Sequence, residues 1–221
     1  IGQARTGTGK TAAFAIPILE QLDSLEDCRD PQAIIVVPTR ELADQVGRET
    51  QRLAWGVDTE VAVLAGGKNI NGQLRQLENG VQIVVGTPGR LHDHLKRKSL
   101  RTNSIWCVVL DEADRMLDMG FMPQIRRVFL RMPDERQNLL FSATLPKEVE
   151  GLVEDFLPNA ERVQIGSRSQ SASTISHRFA AVNVADKPSA LERLLRRVRG
   201  KVLVFCNKKS GCEKLGNMLK R

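Results

Sequence analysis

The sequence predicts an α/β fold built on a doubly wound, mostly parallel sheet. Three observations carry that prediction. Short blocks rich in Val and Ile recur along the chain, most of them are too continuously apolar to leave one face wet, and segments with helical apolar spacing alternate with them. Strands buried on both faces and joined by helices are what right-handed parallel crossovers require.

In chain order, AIIVV (33–37), EVAVL (60–64), QIVV (82–85), WCVVL (106–110), NLLF (138–141) and RVQI (162–165) read as strands. Helical spacing over 41–54, 69–78, 88–97, 121–131 and 147–156 falls between them. TAAFAIPILEQL (11–22) is a further helical pattern, with Pro17 in its interior where a kink is expected. A glycine-rich turn begins within five residues of Ile1, which leaves no room for the strand such a turn normally follows. GSRSQSAST (166–174) is polar, rich in Ser and without apolar periodicity, and reads as an interdomain linker between residues 1–165 and 175–221. Beyond it come a strand near 176–184, a helix over 188–199, the strand KVLVFC (201–206) and a helix over 209–220. Those roughly 45 residues are too few to close an α/β core. They read as the start of a second α/β domain, and the chain as a fragment at both ends.

The chain has 221 residues, 41% of them apolar and 27% charged. That excludes a fibrous, mucin-like or wholly disordered chain and suffices for one core of roughly 150 residues plus part of another. No run approaches the roughly 20 apolar residues that span a bilayer, and the N-terminal stretch is not of signal-peptide type. Cys28, Cys107, Cys206 and Cys212 are sparse and form no CxxC, which argues against a disulfide scaffold or structural zinc and for a reducing compartment. Cytoplasm is the expectation, with organelle and nucleus left open. Cys107 and Cys206 lie in apolar strands and read as core residues, and His92 and His94 in RLHDHL read as helix-surface residues for want of a third metal ligand. The net charge is +7, and Ala190–Arg221 contain ten Lys or Arg against two Glu, so the basicity is local. Charge alone does not choose between nucleic acid, a membrane surface and a solvated face.

ARTGTGKT (4–11) runs directly into the first helical pattern. Backbone N–H groups at a tight glycine turn, with the positive end of a helix, cradle polyphosphate; Lys10 reaches β and γ phosphates and the Thr11 hydroxyl joins a Mg²⁺ shell. The match to the phosphate-loop pattern is imperfect, since Ala4 stands at its first glycine. WCVVLDEAD (106–114) is an apolar strand ending in Asp111 and Glu112, at the edge of the sheet where ligands gather. Of the two carboxylates, Asp111 is assigned to the metal and Glu112 to the attacking water. FSAT (141–144) also follows a strand, and the hydroxyls of Ser142 and Thr144 can bond Asp114. PTRELA (38–43), AGG (65–67) and TPGR (87–90) each follow a strand too. They bring N–H groups, a hydroxyl and the guanidinium groups of Arg40 and Arg90 to one rim, which suits sugar-phosphate contacts. Gly66 and Gly67 allow a bulky backbone to approach. With no Tyr and 4% aromatics, a base-stacking platform is disfavoured.

Together these segments resemble, in order over essentially the whole chain, the DEAD-box family of ATP-dependent RNA helicases. ARTGTGKT is similar to motif I, with Arg5 where Gln is more common; PTRELA resembles motif Ia, AGG the GG motif, TPGR the next RNA-contacting motif, DEAD (111–114) motif II and SAT (142–144) motif III. DRMLDMGF (114–121) fits the family pattern, and VLVFCNKKSGCEKL (202–215) resembles the motif IV region, with Lys208 and Cys212 where Thr and Ala are frequent.

The resemblance implies a RecA-like P-loop NTPase domain followed by the truncated start of a second RecA-like domain, closing on ATP–Mg²⁺ and on single-stranded or locally opened RNA. It implies that Arg5, Thr6, Gly7, Thr8, Gly9, Lys10 and Thr11 bind the nucleotide, Thr11 and Asp111 hold Mg²⁺, and Lys10, Asp111 and Glu112 carry hydrolysis. Asp114, Ser142 and Thr144 would couple hydrolysis to RNA handling. Pro38, Thr39, Arg40, Gly66, Gly67, Thr87, Gly89 and Arg90 would line an RNA path read through the backbone, independent of sequence. Ribonucleoprotein partners and no membrane are expected. The adenine-reading segment and everything after motif IV are absent from the sequence, so the fragment by itself is expected to be nearly inactive. The alternatives are a nonenzymatic RNA clamp or scaffold and a DNA-directed P-loop motor; the literal DEAD, PTRELA and SAT argue against the motor. For the cluster Arg193, Arg196, Arg197 and Arg199, a solvated helix, a supplementary RNA contact and a protein docking surface remain open.

Overall fold

The structure is a computed structural model that describes residues 1–4, 7–25, 27–165, 176 and 178–219. It divides into two units, Ile1–Arg168 and Ser169–Arg221.

The first unit holds a seven-stranded sheet. Its strands are β1 (Gly2–Gln3), β2 (Ala33–Val36), β3 (Val61–Leu64), β4 (Ile83–Gly86), β5 (Cys107–Asp111), β6 (Gln137–Ser142) and β7 (Val163–Gln164), in the order β3-β4-β2-β5-β6-β1-β7. Every neighbouring pair is parallel. Helices follow the strands: α1 (Lys10–Leu19), α2 (Arg40–Leu53), α3 (Ile70–Asn79), α4 (Pro88–Lys96), α5 (Ala113–Asp118), α6 (Met122–Phe129) and α7 (Lys147–Phe156). The expected doubly wound sheet is therefore present, with strand bounds shifted by a residue or two.

The reason for the unbroken apolar runs is visible in β2. Ile34 and Val36 join one core with Leu91, Val128, Phe129 and Leu152, whereas Ala33, Ile35 and, just past the strand, Val37 join another with Phe14, Ile18, Ala43 and Val46. Both faces are covered, and each fully buried Ile contributes roughly 1.5–3 kcal/mol over an exposed one. Helix α2 shows how close the cover is: a Cβ on Gly47 would stand 2.5 Å from the Val63 side chain. Only glycine permits that approach.

One expectation needs correcting here. The glycine turn does follow a strand: Gly2–Gln3 pairs in parallel with Phe141–Ser142 on one side and Val163–Gln164 on the other. Pro17 lies inside α1, two residues from its end, where its missing N–H leaves the Ala13 carbonyl without a helical donor.

In the second unit the described elements are a 3₁₀ turn (Val184–Asp186), α8 (Lys187–Leu195) and α9 (Lys209–Leu219), which match the two helices expected there. The two strands expected near 176–184 and at 201–206 are not formed among the described residues. A strand is a paired state, and here the apolar side chains that pairing would bury stay in solvent, with Phe179 97% and Phe205 87% exposed. Cys206 is accordingly half-buried rather than a core strand residue. The stretch 166–174 and His177 lie outside the described residues.

Candidate functional site

Because every strand runs the same way, β1 through β6 deliver the residues that follow them to one edge of the sheet. The order along that edge is 65–67 after β3, 87–90 after β4, 38–40 after β2, 111–112 at the end of β5, 142–144 at the end of β6 and the glycine turn after β1. Segments far apart in sequence become neighbours.

At the glycine turn, Gly7 and Gly9 adopt φ of 78° and 84°, a conformation that side chains with a Cβ resist, and no atom lies within 4 Å of where either Cβ would stand. Gly9 caps α1, whose first residue, Lys10, is buried. The Lys10 ammonium donates to the Ala4 carbonyl at 3.2 Å and lies 3.8 Å from Asp111. Arg5 and Thr6 lie outside the described residues. Beside this turn opens a cavity of about 800 Å³, bordered by Ala4, Gly9, Lys10, Leu139, Phe141 and Phe156. Nothing in the sequence pattern announces it, since its walls come from four separate segments.

Asp111 is 4% exposed and accepts the Glu112 backbone N–H at 3.0 Å. Burial pushes its pKa above the ordinary carboxylate value; the Lys10 ammonium pulls the other way, and Glu112 adds to the rise. The ionised form is thus short of positive charge. Glu112 holds φ 55°, ψ 52°, a left-handed conformation that costs a non-glycine residue about 1 kcal/mol or more. That bend turns β5 into α5 and sends the two carboxylates apart, Glu112 pairing with Arg115 at 3.0 Å.

The third segment closes a bracket over the second. Thr144 donates its N–H and hydroxyl to one Asp114 oxygen, while the other oxygen accepts the Arg115 N–H at 3.0 Å. Ser142 is fully buried and works through the backbone: its hydroxyl accepts the Asp114 N–H at 3.2 Å and donates to the Thr144 carbonyl at 2.6 Å. Burial opposes the Asp114 charge, but the hydrogen bonds from Thr144, with those involving Ser142 and Arg115, together outweigh it and hold the pKa below the usual value.

Along the remaining rim, Arg40, Gly67 and Gly89 are exposed, Thr39, Gly66 and Arg90 are half-buried, and Pro38 and Thr87 are buried. The Thr39 hydroxyl is engaged, accepting the Leu42 N–H as the cap of α2. The open backbone at Gly67 is also taken, because a Cβ there would meet the Arg40 guanidinium at 1.8 Å. The glycine therefore admits a side chain of this chain itself. Arg90 donates to Gln73 at 3.0 Å. His94, expected on a helix surface, is fully buried and bonded on both ring nitrogens, to Gln73 and Ser99. Its i+4 spacing from Arg90 on α4 was a legible signal; the partners on α3 and after α4 were not.

Among the described residues, no group of three or more His, Cys, Asp or Glu is arranged to hold a metal ion, and no helix is long and apolar enough to cross a membrane.

Known proteins are similar to this chain. The ATP-dependent RNA helicase CshA of Listeria monocytogenes is 43% identical over 195 residues, covering 88% of this chain and 37% of that protein. The DEAD-box ATP-dependent RNA helicase CshA of Bacillus subtilis is 42% identical over 195 residues, covering 88% and 39%. The chain thus spans well under half the length of these relatives. The crystal structure of a DEAD box protein from the hyperthermophile Methanococcus jannaschii superposes with a TM-score of 0.70 at 37% identity, over 99% of this chain and 58% of that one. The family model described as DEAD/DEAH box helicase matches residues 1–152, the whole of the motif-bearing sheet edge, and the chain belongs to that family.

Proposed function

We propose that the protein containing this chain is an ATP-dependent RNA helicase, in which RNA-stimulated ATP hydrolysis drives local duplex opening or remodelling of RNA–protein complexes. The observation that carries the reading is the single sheet edge, on which the glycine turn, two diverging carboxylates, the Asp114–Thr144 bracket and the two-arginine rim follow one another.

The residues fit a Mg²⁺-bound triphosphate. Gly7 and Gly9 leave their backbone open at the N-terminus of α1, a cradle for phosphate oxygens. Asp111 is a buried carboxylate short of positive charge, and a divalent cation would relieve it. Since no all-protein cage is present among the described residues, Mg²⁺ would take the rest of its shell from the Thr11 hydroxyl, water and phosphate, as this ion commonly does. The bound nucleotide supplies the phosphorus to be attacked and the leaving group.

On this reading Arg5 through Thr11 hold the nucleotide, with Lys10 leaving Ala4 to neutralise phosphate charge. Glu112 orients the attacking water and takes its proton, which requires its carboxylate to share or leave Arg115. Asp114, Ser142 and Thr144 transmit the state of the β5 end to β6. Arg40 and Arg90 contact RNA phosphates, independent of base sequence, with Gly66, Gly67 and Gly89 lending backbone N–H groups and Pro38, Thr39 and Thr87 shaping the turns. Residues 175–221 begin a second RecA-like domain, the compartment is the cytoplasm, and the partners are single-stranded or duplex RNA and ribonucleoproteins.

The test is ATP turnover by the full-length protein without nucleic acid, with single-stranded RNA and with single-stranded DNA, beside Glu112→Gln. Stimulation by RNA that Glu112→Gln abolishes is the expected result. Equal stimulation by DNA would favour a DNA-directed motor, and RNA binding without turnover a clamp or scaffold.

A further inference from the structure

Gln73 lies on α3, outside every motif segment, and is 4% exposed. Both ends of its amide are in use. The Nε2 group donates to the Ala65 carbonyl at 3.0 Å, at the end of β3. The Oε1 atom receives Arg90 Nη1 at 3.0 Å and faces His94 Nε2 at 3.0 Å. Arg90 reaches on to the Lys68 carbonyl at 3.5 Å. The amide orientation is fixed by chemistry, since the opposite one would set NH₂ against a guanidinium and carbonyl against carbonyl.

That orientation also fixes the histidine. Because Gln73 Oε1 has no hydrogen, His94 Nε2 must carry one; Nδ1 lies 2.8 Å from the Ser99 hydroxyl, whose single hydrogen also faces the His94 carbonyl at 3.2 Å. Burial lowers the His94 pKa and the Arg90 charge lowers it further, so the ring stays neutral. His94 itself is fully buried and cannot swing away.

We propose that Gln73, held in place by His94, is a positioning residue that fixes the Arg90 guanidinium against the 65–68 turn and thereby sets the RNA affinity of the rim. This rests on the reading of the rim as an RNA contact. A free arginine loses its rotamer freedom on meeting a phosphate; one already bonded to Gln73 and Lys68 has lost much of it beforehand. The turn at 65–68 and the start of α4 come from different crossovers, and Gln73 bonds to both, as Arg90 itself does through the Lys68 carbonyl.

The test uses the full-length protein and a fluorescent single-stranded RNA oligonucleotide. Gln73→Met keeps the length and packing of the side chain and removes its hydrogen bonds. It is expected to weaken RNA binding about five- to tenfold and raise the KM for RNA in ATP turnover, with kcat and nucleotide affinity within twofold of the parent. Combined with Arg90→Ala, it should add nothing to the loss that Arg90→Ala causes alone. Unchanged RNA affinity in Gln73→Met, additive losses in the double variant, or a matching loss of nucleotide affinity would each overturn the positioning role. If Arg90→Ala itself leaves RNA binding untouched, the RNA reading of the rim is what fails. Should Gln73→Met not fold, Arg90→Lys probes the other end of the bond: it keeps the charge without the fork, a severalfold loss is expected, and full affinity would overturn the proposal.

Discussion

One carboxylate oxygen of Asp114 receives both the backbone N–H and the hydroxyl of Thr144, at 2.9 and 2.8 Å. The bond joins the start of α5 to the turn after β6, two segments that reach each other only because their strands are adjacent and parallel. Thr144→Val keeps the shape and the backbone bond but removes the hydroxyl. The pair is partly exposed, so the expected cost is about 1 kcal/mol of stability in a urea titration. On the proposed function the larger effect is on coupling: strand separation per ATP hydrolysed should fall, while turnover itself stays within a few-fold.

The same contact predicts an acid response. Hydrogen bonds from Thr144, with those involving Ser142 and Arg115, together outweigh burial and depress the Asp114 pKa in the folded state, so its stabilisation is present above the unfolded value and lost as the pH falls through the folded one. Melting temperatures of the parent and Asp114→Asn should differ most near neutrality. The gap should close as the pH drops below about 4, the ordinary Asp value. A gap that stayed constant down to strongly acid pH would show that the carboxylate charge contributes nothing.

Glu112 combines a strained backbone with a proposed catalytic carboxylate. Two variants separate them. Glu112→Ala and Glu112→Gly both lose the carboxylate and its bond to Arg115, but only glycine accepts φ 55° without penalty. The glycine variant should be the more stable of the two by about 1 kcal/mol, and neither should hydrolyse ATP. Equal stability would mean that the bend relaxes once the side chain is gone.

How much of this could be read from the sequence depends on whether a residue's partner is near in the chain. The strands were legible because both their faces are buried, which makes AIIVV and WCVVL continuous apolar runs. Apart from those of the glycine turn, the motif residues were legible because each follows such a run. The strands at 176–184 and 201–206, which do not form among the described residues, were overestimated for the converse reason: an apolar run states a readiness to pair, and pairing needs a neighbour that the pattern does not supply. His94 was misread because helical spacing gives the face it shares with Arg90 but not that Gln73, 21 residues earlier, covers it. Gly67 was read as room for a ligand, and the guanidinium of Arg40, 27 residues earlier, occupies that room.

Burial also separates the cysteines. Cys107, in β5, is 1% exposed, and burial pushes its thiol pKa up to about 12. Cys212 is exposed, and Cys28 and Cys206 are half-buried. The thiolate is the reactive form, so alkylation at about pH 8 should modify Cys212 readily and leave Cys107 untouched until the protein is unfolded. Peptide mass analysis of native and urea-treated samples reads this directly. Native labelling of Cys107 would mean that the central strand opens without global unfolding.

Arg40 and Gly67 provide a sharper test, because sterics and backbone strain can be separated there. A methyl group on Gly67 would be 1.8 Å from Arg40 Nη1, and at φ 74° any Cβ is disfavoured as well. Gly67→Ala should therefore carry two penalties, a strain of about 1 kcal/mol that persists in any background and a clash that exists only while the arginine is present. In an Arg40→Ala background the second vanishes. The double variant should then be more stable than the sum of the single losses predicts, with a coupling of about 0.5 kcal/mol or more in a double-mutant cycle. The arginine is exposed and can also escape by rotating outward, in which case the cycle shows no coupling but RNA binding in the Gly67→Ala variant falls as far as in Arg40→Ala. Neither coupling nor loss of RNA affinity would leave the contact between Arg40 and the 66–67 turn without consequence for stability or for the rim.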